Sequence, residues 1–252
     1  MAKVWPRFIH ALTFYTRIPG PKSVQYDPET LTRGNVFFPL IGYLVAAFAA
    51  LVLYVSGMLF SLPIAVLLSM AATIWLTGSF HEDGFADTCD GFGGGYGKKA
   101  ILTIMKDSRV GTYASVGLTI LLLLKFQSLS DSAEPILALF VGHTVSRFFP
   151  LLSMSLLPYV REHTDSKSAQ HKLSLSLPEL MFAAIWPLLA LAFLPWQSIL
   201  VLIACLSLMC ILLNRWFKKQ LGGITGDCLG ASQQIYEVTV YLLLGSTLCA
   251  VT

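Results

Sequence analysis

Seven stretches of this chain are apolar enough to cross a bilayer: residues 36–55, 58–76, 110–126, 135–157, 179–195, 197–214 and 235–251. A span needs roughly 20 apolar residues. Five of these stretches run to only 17–19 residues, the short end of what a span needs. In lipid every backbone polar group must be satisfied within its own segment or a closed barrel, so the stretches are expected to be helices. The loops between them agree with the count. Lys3, Arg7, Arg17, Lys22 and Arg33 precede the first stretch, and Lys98, Lys99, Lys106 and Arg109 follow the second. Arg161, Lys167 and Lys172 follow the fourth, and Arg215, Lys218 and Lys219 follow the sixth. Fifteen of the 17 basic residues therefore fall on one alternating set of loops. The positive-inside rule places that set, and the N-terminus with it, in the cytoplasm. A missed or invented helix would scramble this alternation.

The chain is 55% hydrophobic and 12% charged, where soluble domains run nearer a quarter charged. Its charge is too sparse to cover a water-facing surface, and a net charge of +3 gives no reason to expect a nucleic acid partner. The five cysteines, Cys89, Cys205, Cys210, Cys228 and Cys249, form no CxxC pair, which argues against a disulfide framework or a structural zinc site. The N-terminus lacks a clean signal-peptide core. It is expected to lie at the interface, with Trp5, Phe8, Phe14 and Tyr15 toward lipid and Lys3, Arg7 and Arg17 toward water. No repeat or low-complexity tract breaks the chain, so residues 1–252 are expected to form one membrane-embedded, all-α domain of about seven transmembrane helices.

Against this apolar background the acidic stretch HEDGFADTCDG stands out. Asp83, Asp87 and Asp90 are spaced by four and three, which places them on one face of a helix. Carboxylates so close repel, and a divalent cation such as Mg²⁺, bound by carboxylate oxygens and completed by phosphate, would offset that repulsion. The alternative is a solvated helix end. Glu82 points to another face, and His81 is either a base or a hydrogen-bonding neighbour. The following run GFGGGYGKK fails as a phosphate loop: the required first glycine falls on Phe92, and Lys99 stands where Ser or Thr belongs. It is expected to be a flexible turn.

Three further places could meet a phosphate. MKDSRVGT brings Lys106, Asp107, Ser108 and Arg109 ahead of the third stretch, where Arg109 is either a phosphate ligand or a membrane anchor. GGITGDCLGAS sets Asp227 on a tight turn, as a metal ligand, a base or a structural turn residue. Arg147 lies within a span, where a charge is expensive and marks either a binding function or a buried salt bridge. Glu237, near the start of the last span, could pair with Arg147 or the metal. Lys125 sits near a helix end and is expected to snorkel outward. The polar segment 161–174 is expected to be a flexible cytoplasmic loop near the site.

Taken together, TGSFHEDGFADTCDGFGGG, IMKDSRVGT and LGGITGDCLGA, with FYTRIPGP and RGNVFFPLIG near the start, resemble the adenosylcobinamide-GDP ribazoletransferase (cobalamin synthase) family. The resemblance covers nearly the whole chain. It implies an integral enzyme of a bacterial inner membrane, with a cytoplasmic active site, that joins α-ribazole or its 5′-phosphate to adenosylcobinamide-GDP. GMP would be released and Mg²⁺ required. Its acidic motif falls on Asp83, Asp87 and Asp90, the expected metal site, its DSR element on Asp107, Ser108 and Arg109, and its TGD element on Thr225, Gly226 and Asp227; with the residues read above, Lys106, Asp107, Ser108 and Thr225 are the expected substrate contacts and Asp227, Arg109, Arg147 and Glu237 the expected catalytic residues. Gln234 stands where some relatives carry Glu, which moves the expected carboxylate to Glu237. A homo-oligomer or a complex with other late cobalamin-pathway enzymes is a further expectation. Two rivals have testable signatures. A CDP-alcohol phosphotransferase-like enzyme needs Ala-Arg where this chain has Ala86-Asp87, and a transporter would concentrate its polar residues at mid-bilayer.

Overall fold

The computed structural model describes residues 4–25, 27–160 and 175–246. The segment 161–174, Lys3, Cys249 and the end of the last apolar stretch lie outside the described residues. Eleven α-helices follow one another: α1 (Val4–Tyr15), α2 (Pro28–Gly34), α3 (Phe38–Gly57), α4 (Leu62–Thr77), α5 (Phe80–Gly94), α6 (Lys98–Met105), α7 (Thr112–Ser130), α8 (Pro135–Leu156), α9 (Leu177–Leu191), α10 (Trp196–Leu221) and α11 (Gly226–Leu244). The only β-type pairing among the described residues is an isolated bridge between Tyr159 and Ile224.

Among the described residues, each of the seven apolar stretches is mainly helical, as backbone satisfaction in lipid requires. Their lengths differ. Pro28–Gly57, α7, α8 and α10 are long and apolar enough to cross a membrane. Helices α4 and α5 pass only as a pair bent by 88°, and α9 is apolar but has 15 residues. The stretch expected at 235–251 belongs to α11, which starts nine positions earlier, at Gly226, and carries Asp227 in its first turn. Apolar side chains such as Leu51, Leu67, Leu123, Leu188 and Leu200 face outward, the arrangement of a polytopic membrane protein.

Local signals account for the boundaries. Asp27 caps α2 by accepting from the Thr30 amide at 2.9 Å, and Pro28 follows at a position where its missing N–H costs nothing. Ser176 and Glu179 form a capping box on α9. The bend between α4 and α5 rests on two successive left-handed residues, Gly78 (φ 69°) and Ser79 (φ 60°). Glycine adopts that conformation freely and serine does not, so the turn is tightly specified.

Helix α11 is central, packing chiefly on α5 and α8, while α8 also packs on α3. Helix α1 is a genuine helix, but its aromatic residues divide. Trp5 and Phe14 stay exposed, whereas Tyr15 is buried, stacking on Phe38 at 4.0 Å, and Phe8 packs edge-on against Phe37 at 5.7 Å. The lipid-facing expectation for Tyr15 and Phe8 is thus replaced by protein contacts, because the chain folds back after α1 and sets Phe37 and Phe38, at the start of α3, against them. The glycine run is a turn only at residues 95–97, between α5 and α6. Gly91, Gly93 and Gly94 finish α5, and a side chain at Gly95 would meet the Gly91 carbonyl at 2.6 Å and Ile101 Cα at 2.9 Å, so the run seats α6 against α5.

Candidate active site

The acidic helix α5 and the first turn of α11 meet face to face. A Cβ added to Gly84 would fall 3.0 Å from both Cα and O of Asp227, and one added to Gly230 would lie 3.5 Å from Gly84 Cα. Only a residue without a side chain permits this approach. It brings Asp227 beside Asp83 and Asp87, which precede and follow Gly84 on α5. Thr225 caps α11, accepting from the Cys228 amide at 3.2 Å and donating to Asp227 Oδ2 at 3.4 Å, so it orients that carboxylate.

Asp83 is exposed and Asp87 half-buried. Helix α5 is polar, bent by 88° from α4, and not among the four helices that are by themselves long and apolar enough to cross a membrane. The Asp87 carboxyl is pushed up to about 7, first by partial burial and then by the charges of Asp227, Asp83 and Asp90. Three mutually repelling carboxylates, all hard oxygen donors, fit a small divalent cation in type and charge. Among the described residues no three His, Cys, Asp or Glu side chains are already gathered as a metal-holding group, so these side chains would have to close on the ion.

Asp90 is placed differently from its two neighbours. Its carboxylate accepts from the Gly111 amide at 2.6 Å and from the Ala114 amide at 2.9 Å. It therefore caps the start of α7 and ties the loop after α6 to α5. In that loop Arg109 donates to both oxygens of Asp107 through Nε at 3.0 Å, and the Arg109 side chain is 88% exposed. This bond holds the Asp107 carboxyl down to about 2. Ser108 and Lys106 are exposed beside the pair, and Lys106 ends α6. The loop thus presents an exposed cation, and Asp90 anchors it to the carboxylate helix.

Arg147 and Glu237 belong to a second, buried centre. Glu237 is ten residues beyond Asp227 on the same helix, about 15 Å at 1.5 Å per residue. Its Oε1 accepts from Lys125 Nζ at 2.8 Å and from the Tyr241 hydroxyl at 3.3 Å. Its Oε2 accepts from Gln233 Nε2 at 2.6 Å, with His143 Nδ1 at 3.3 Å and Arg147 Nη1 at 3.8 Å. Arg147 donates to the His143 carbonyl at 2.8 Å and lies 5.5 Å over the Phe38 ring. The structural salt bridge, left open by the sequence, is the arrangement found. Lys125 does not snorkel. It is 5% exposed and also donates to Gln234 Oε1 at 2.6 Å. Gln234 in turn donates to Glu82 at 3.0 Å, so the network reaches the residue next to Asp83.

Sequence reasoning missed Lys125, Gln233, Gln234, Tyr241 and Glu82 as members of this centre. One signal was present: Gln233, Glu237 and Tyr241 recur every four residues on one face of an otherwise apolar helix.

A family model described as CobS, cobalamin-5-phosphate synthase, matches residues 7–245. Relatives named adenosylcobinamide-GDP ribazoletransferase include one from Shewanella amazonensis, 44% identical over 243 residues and matched over 94% of each chain. One from Leptothrix cholodnii is 44% identical over 249 residues, 93% of each chain. One from Vibrio cholerae is 39% identical over 242 residues, 94% of this chain and 92% of the relative. No solved structure matches the chain. Because the match runs unbroken through both carboxylate-bearing helices and the buried network between them, the chain belongs to the cobalamin-5-phosphate synthase family.

Proposed function

We propose that the protein transfers the cobinamide-phosphate moiety of adenosylcobinamide-GDP to α-ribazole or α-ribazole 5′-phosphate. The observation that carries this is the close crossing of α5 and α11, which sets the Asp227 backbone against Gly84, between Asp83 and Asp87, in a chain whose relatives bear that activity in their name. A ribose hydroxyl of the acceptor attacks the phosphorus nearer the cobinamide. A new P–O bond forms to the ribose oxygen, the P–O bond to GMP breaks, and the hydroxyl proton passes to a carboxylate, for which Asp227 is placed by its Thr225 contact. Mg²⁺, held by Asp83 and Asp87, would supply neutralisation of the pyrophosphate charge. Arg109, exposed and held only by its neighbour Asp107, can exchange that partner for a phosphate oxygen. Phosphoryl transfer asks for little beyond such positioning and electrostatics.

The basic loops support a cytoplasmic site in a bacterial inner membrane, the side on which nucleotide substrates occur. Reconstitution in liposomes with adenosylcobinamide-GDP, α-ribazole and Mg²⁺ tests the function, reading GMP and the cobamide product. Asp83→Asn and Asp87→Asn insert normally and lose activity; normal turnover of both at limiting Mg²⁺ overturns the metal site. A divalent-independent wild-type rate does the same.

A further inference from the structure

A cavity of about 300 Å³ lies between α1, α2, α5, α8 and α11; Asp83, Asp87 and Asp227 do not line it, but it reaches Gly226, the residue before Asp227. Its wall nearest the site is the backbone of Gly226 and Gly230, the residues flanking the Asp227 turn. The rest of its lining is mainly aromatic and apolar, with Tyr15, Phe38, Phe80, His81, Leu31 and Met154. Three of these rings are nearly parallel: Tyr15 and Phe38 at 20°, Tyr15 and His81 at 9°, Phe38 and His81 at 19°. The Tyr15 hydroxyl is consumed by Asn35, to which it donates at 2.7 Å.

We infer that this cavity holds the aromatic base of the acceptor nucleoside, the benzimidazole ring system of α-ribazole, and so orients the ribose hydroxyl toward the carboxylates. The inference rests on the proposed transfer reaction and adds a specificity pocket to it. Size and polarity select among the groups that the two substrates bring. A volume of about 300 Å³ lies at the lower end of small-ligand pockets, too small for a corrin ring and its side chains. Guanine would fit by size, but its edge carries an amine, a ring N–H and a carbonyl. The polar side chains of the lining are few, Thr32, Asn35, His81 and Tyr159, and Asn35 already accepts from Tyr15, so three guanine groups would lose more water than a lining with Leu31, Met154 and Phe80 returns. A benzimidazole edge is apolar apart from ring nitrogen, and its flat faces match aromatic walls. Gly226 lines the cavity and immediately precedes Asp227, so a ribose leaving the cavity past Gly226 would come within reach of that carboxylate.

The test uses the purified full-length protein in lipid nanodiscs. Leu31→Trp fills the cavity from the half-buried α2 helix, and Phe80→Leu removes an aromatic wall from a partly exposed position. KM is measured separately for α-ribazole and for adenosylcobinamide-GDP, and α-ribazole binding is measured by equilibrium dialysis without the second substrate. Leu31→Trp is expected to weaken α-ribazole about ten-fold or more, and Phe80→Leu several-fold, consistent with base–aromatic stacking energies. The KM for adenosylcobinamide-GDP stays within about two-fold, which also certifies the fold. A rise confined to adenosylcobinamide-GDP would place guanine in the cavity and overturn the inference. So would unchanged α-ribazole binding in variants that retain adenosylcobinamide-GDP binding, or a cavity that co-purifies filled with lipid that α-ribazole cannot displace. If the wild-type protein binds α-ribazole in dialysis yet forms no product, the proposed reaction fails while the pocket stands.

Discussion

Neutralising Glu237 is the most informative perturbation of the fold. Lys125, Tyr241, Gln233, His143 and Arg147 all converge on its carboxylate, within 2.6 to 3.8 Å. Glu237→Gln keeps the shape and removes the charge, leaving the Lys125 and Arg147 cations buried with Glu82 as the nearest remaining anion of the network. Breaking a buried pair from one side costs about 3–5 kcal/mol, because the surviving charge keeps its desolvation penalty. Lys125→Met is milder. Glu237 then retains Arg147 and two neutral donors, and the loss is that of charge-assisted hydrogen bonds, about 1.5–3 kcal/mol. Combining the two removes one of the stranded cations, so the double variant should cost less than the sum by about 1–3 kcal/mol. Against a total stability of about 5–15 kcal/mol these differences are large. The assay is reversible unfolding in mixed micelles, followed by tryptophan fluorescence, for the four corners of the cycle. Added salt should leave the coupling unchanged, since ions do not reach the pair. A Glu237→Gln protein as stable as wild type, or strict additivity, would refute the network as a source of stability.

Gly84→Ala forces a methyl group to within 3.0 Å of the Asp227 backbone, so α5 must move off α11. An overpacking cost of about 1–3 kcal/mol is expected, with activity falling far more than the amount of inserted protein. Asp90→Asn should weaken the cap on α7 by about 1 kcal/mol and lower turnover partially, in contrast to complete loss in Asp87→Asn; equal loss in both would make Asp90 a metal ligand rather than a cap. The Asp107 carboxyl, held at about 2 chiefly by the Arg109 hydrogen bond, titrates below the ordinary aspartate range. Its folded value is depressed, so the loop contact persists above the unfolded pKa of about 4 and is lost as pH falls toward about 2. Carboxyl NMR titration should show this, with Arg109→Ala restoring the ordinary value. The same variant should raise KM for adenosylcobinamide-GDP without destabilising the fold.

The helical membrane architecture was legible because each apolar stretch carries its own length and composition, and lipid enforces backbone pairing within it. The acidic face of α5 was legible for the same reason: Asp83 and Asp87 share a face through local periodicity alone. Asp90 shares their spacing but not their position, because its use depends on amides at Gly111 and Ala114, more than twenty residues ahead. Tyr15 was misplaced as lipid-facing because its partners, Phe38 and Asn35, come from an element that no local pattern assigns to α1.

Sequence by itself determined that this chain is a bundle of apolar helices bearing one carboxylate-rich face, since hydrophobic length, charge alternation and helical spacing are local quantities. Only the tertiary structure decided which charges serve the site and which hold the bundle. Lys125 meets Gln234 across 109 positions, and Gln234 meets Glu82 across 152. A buried cation such as Lys125 or Arg147 is tolerable only where a counter-charge arrives from another helix. That pairing is settled when α5, α7, α8 and α11 pack, as is the approach of Asp227 to Gly84 that turns an acidic helix into a candidate active site.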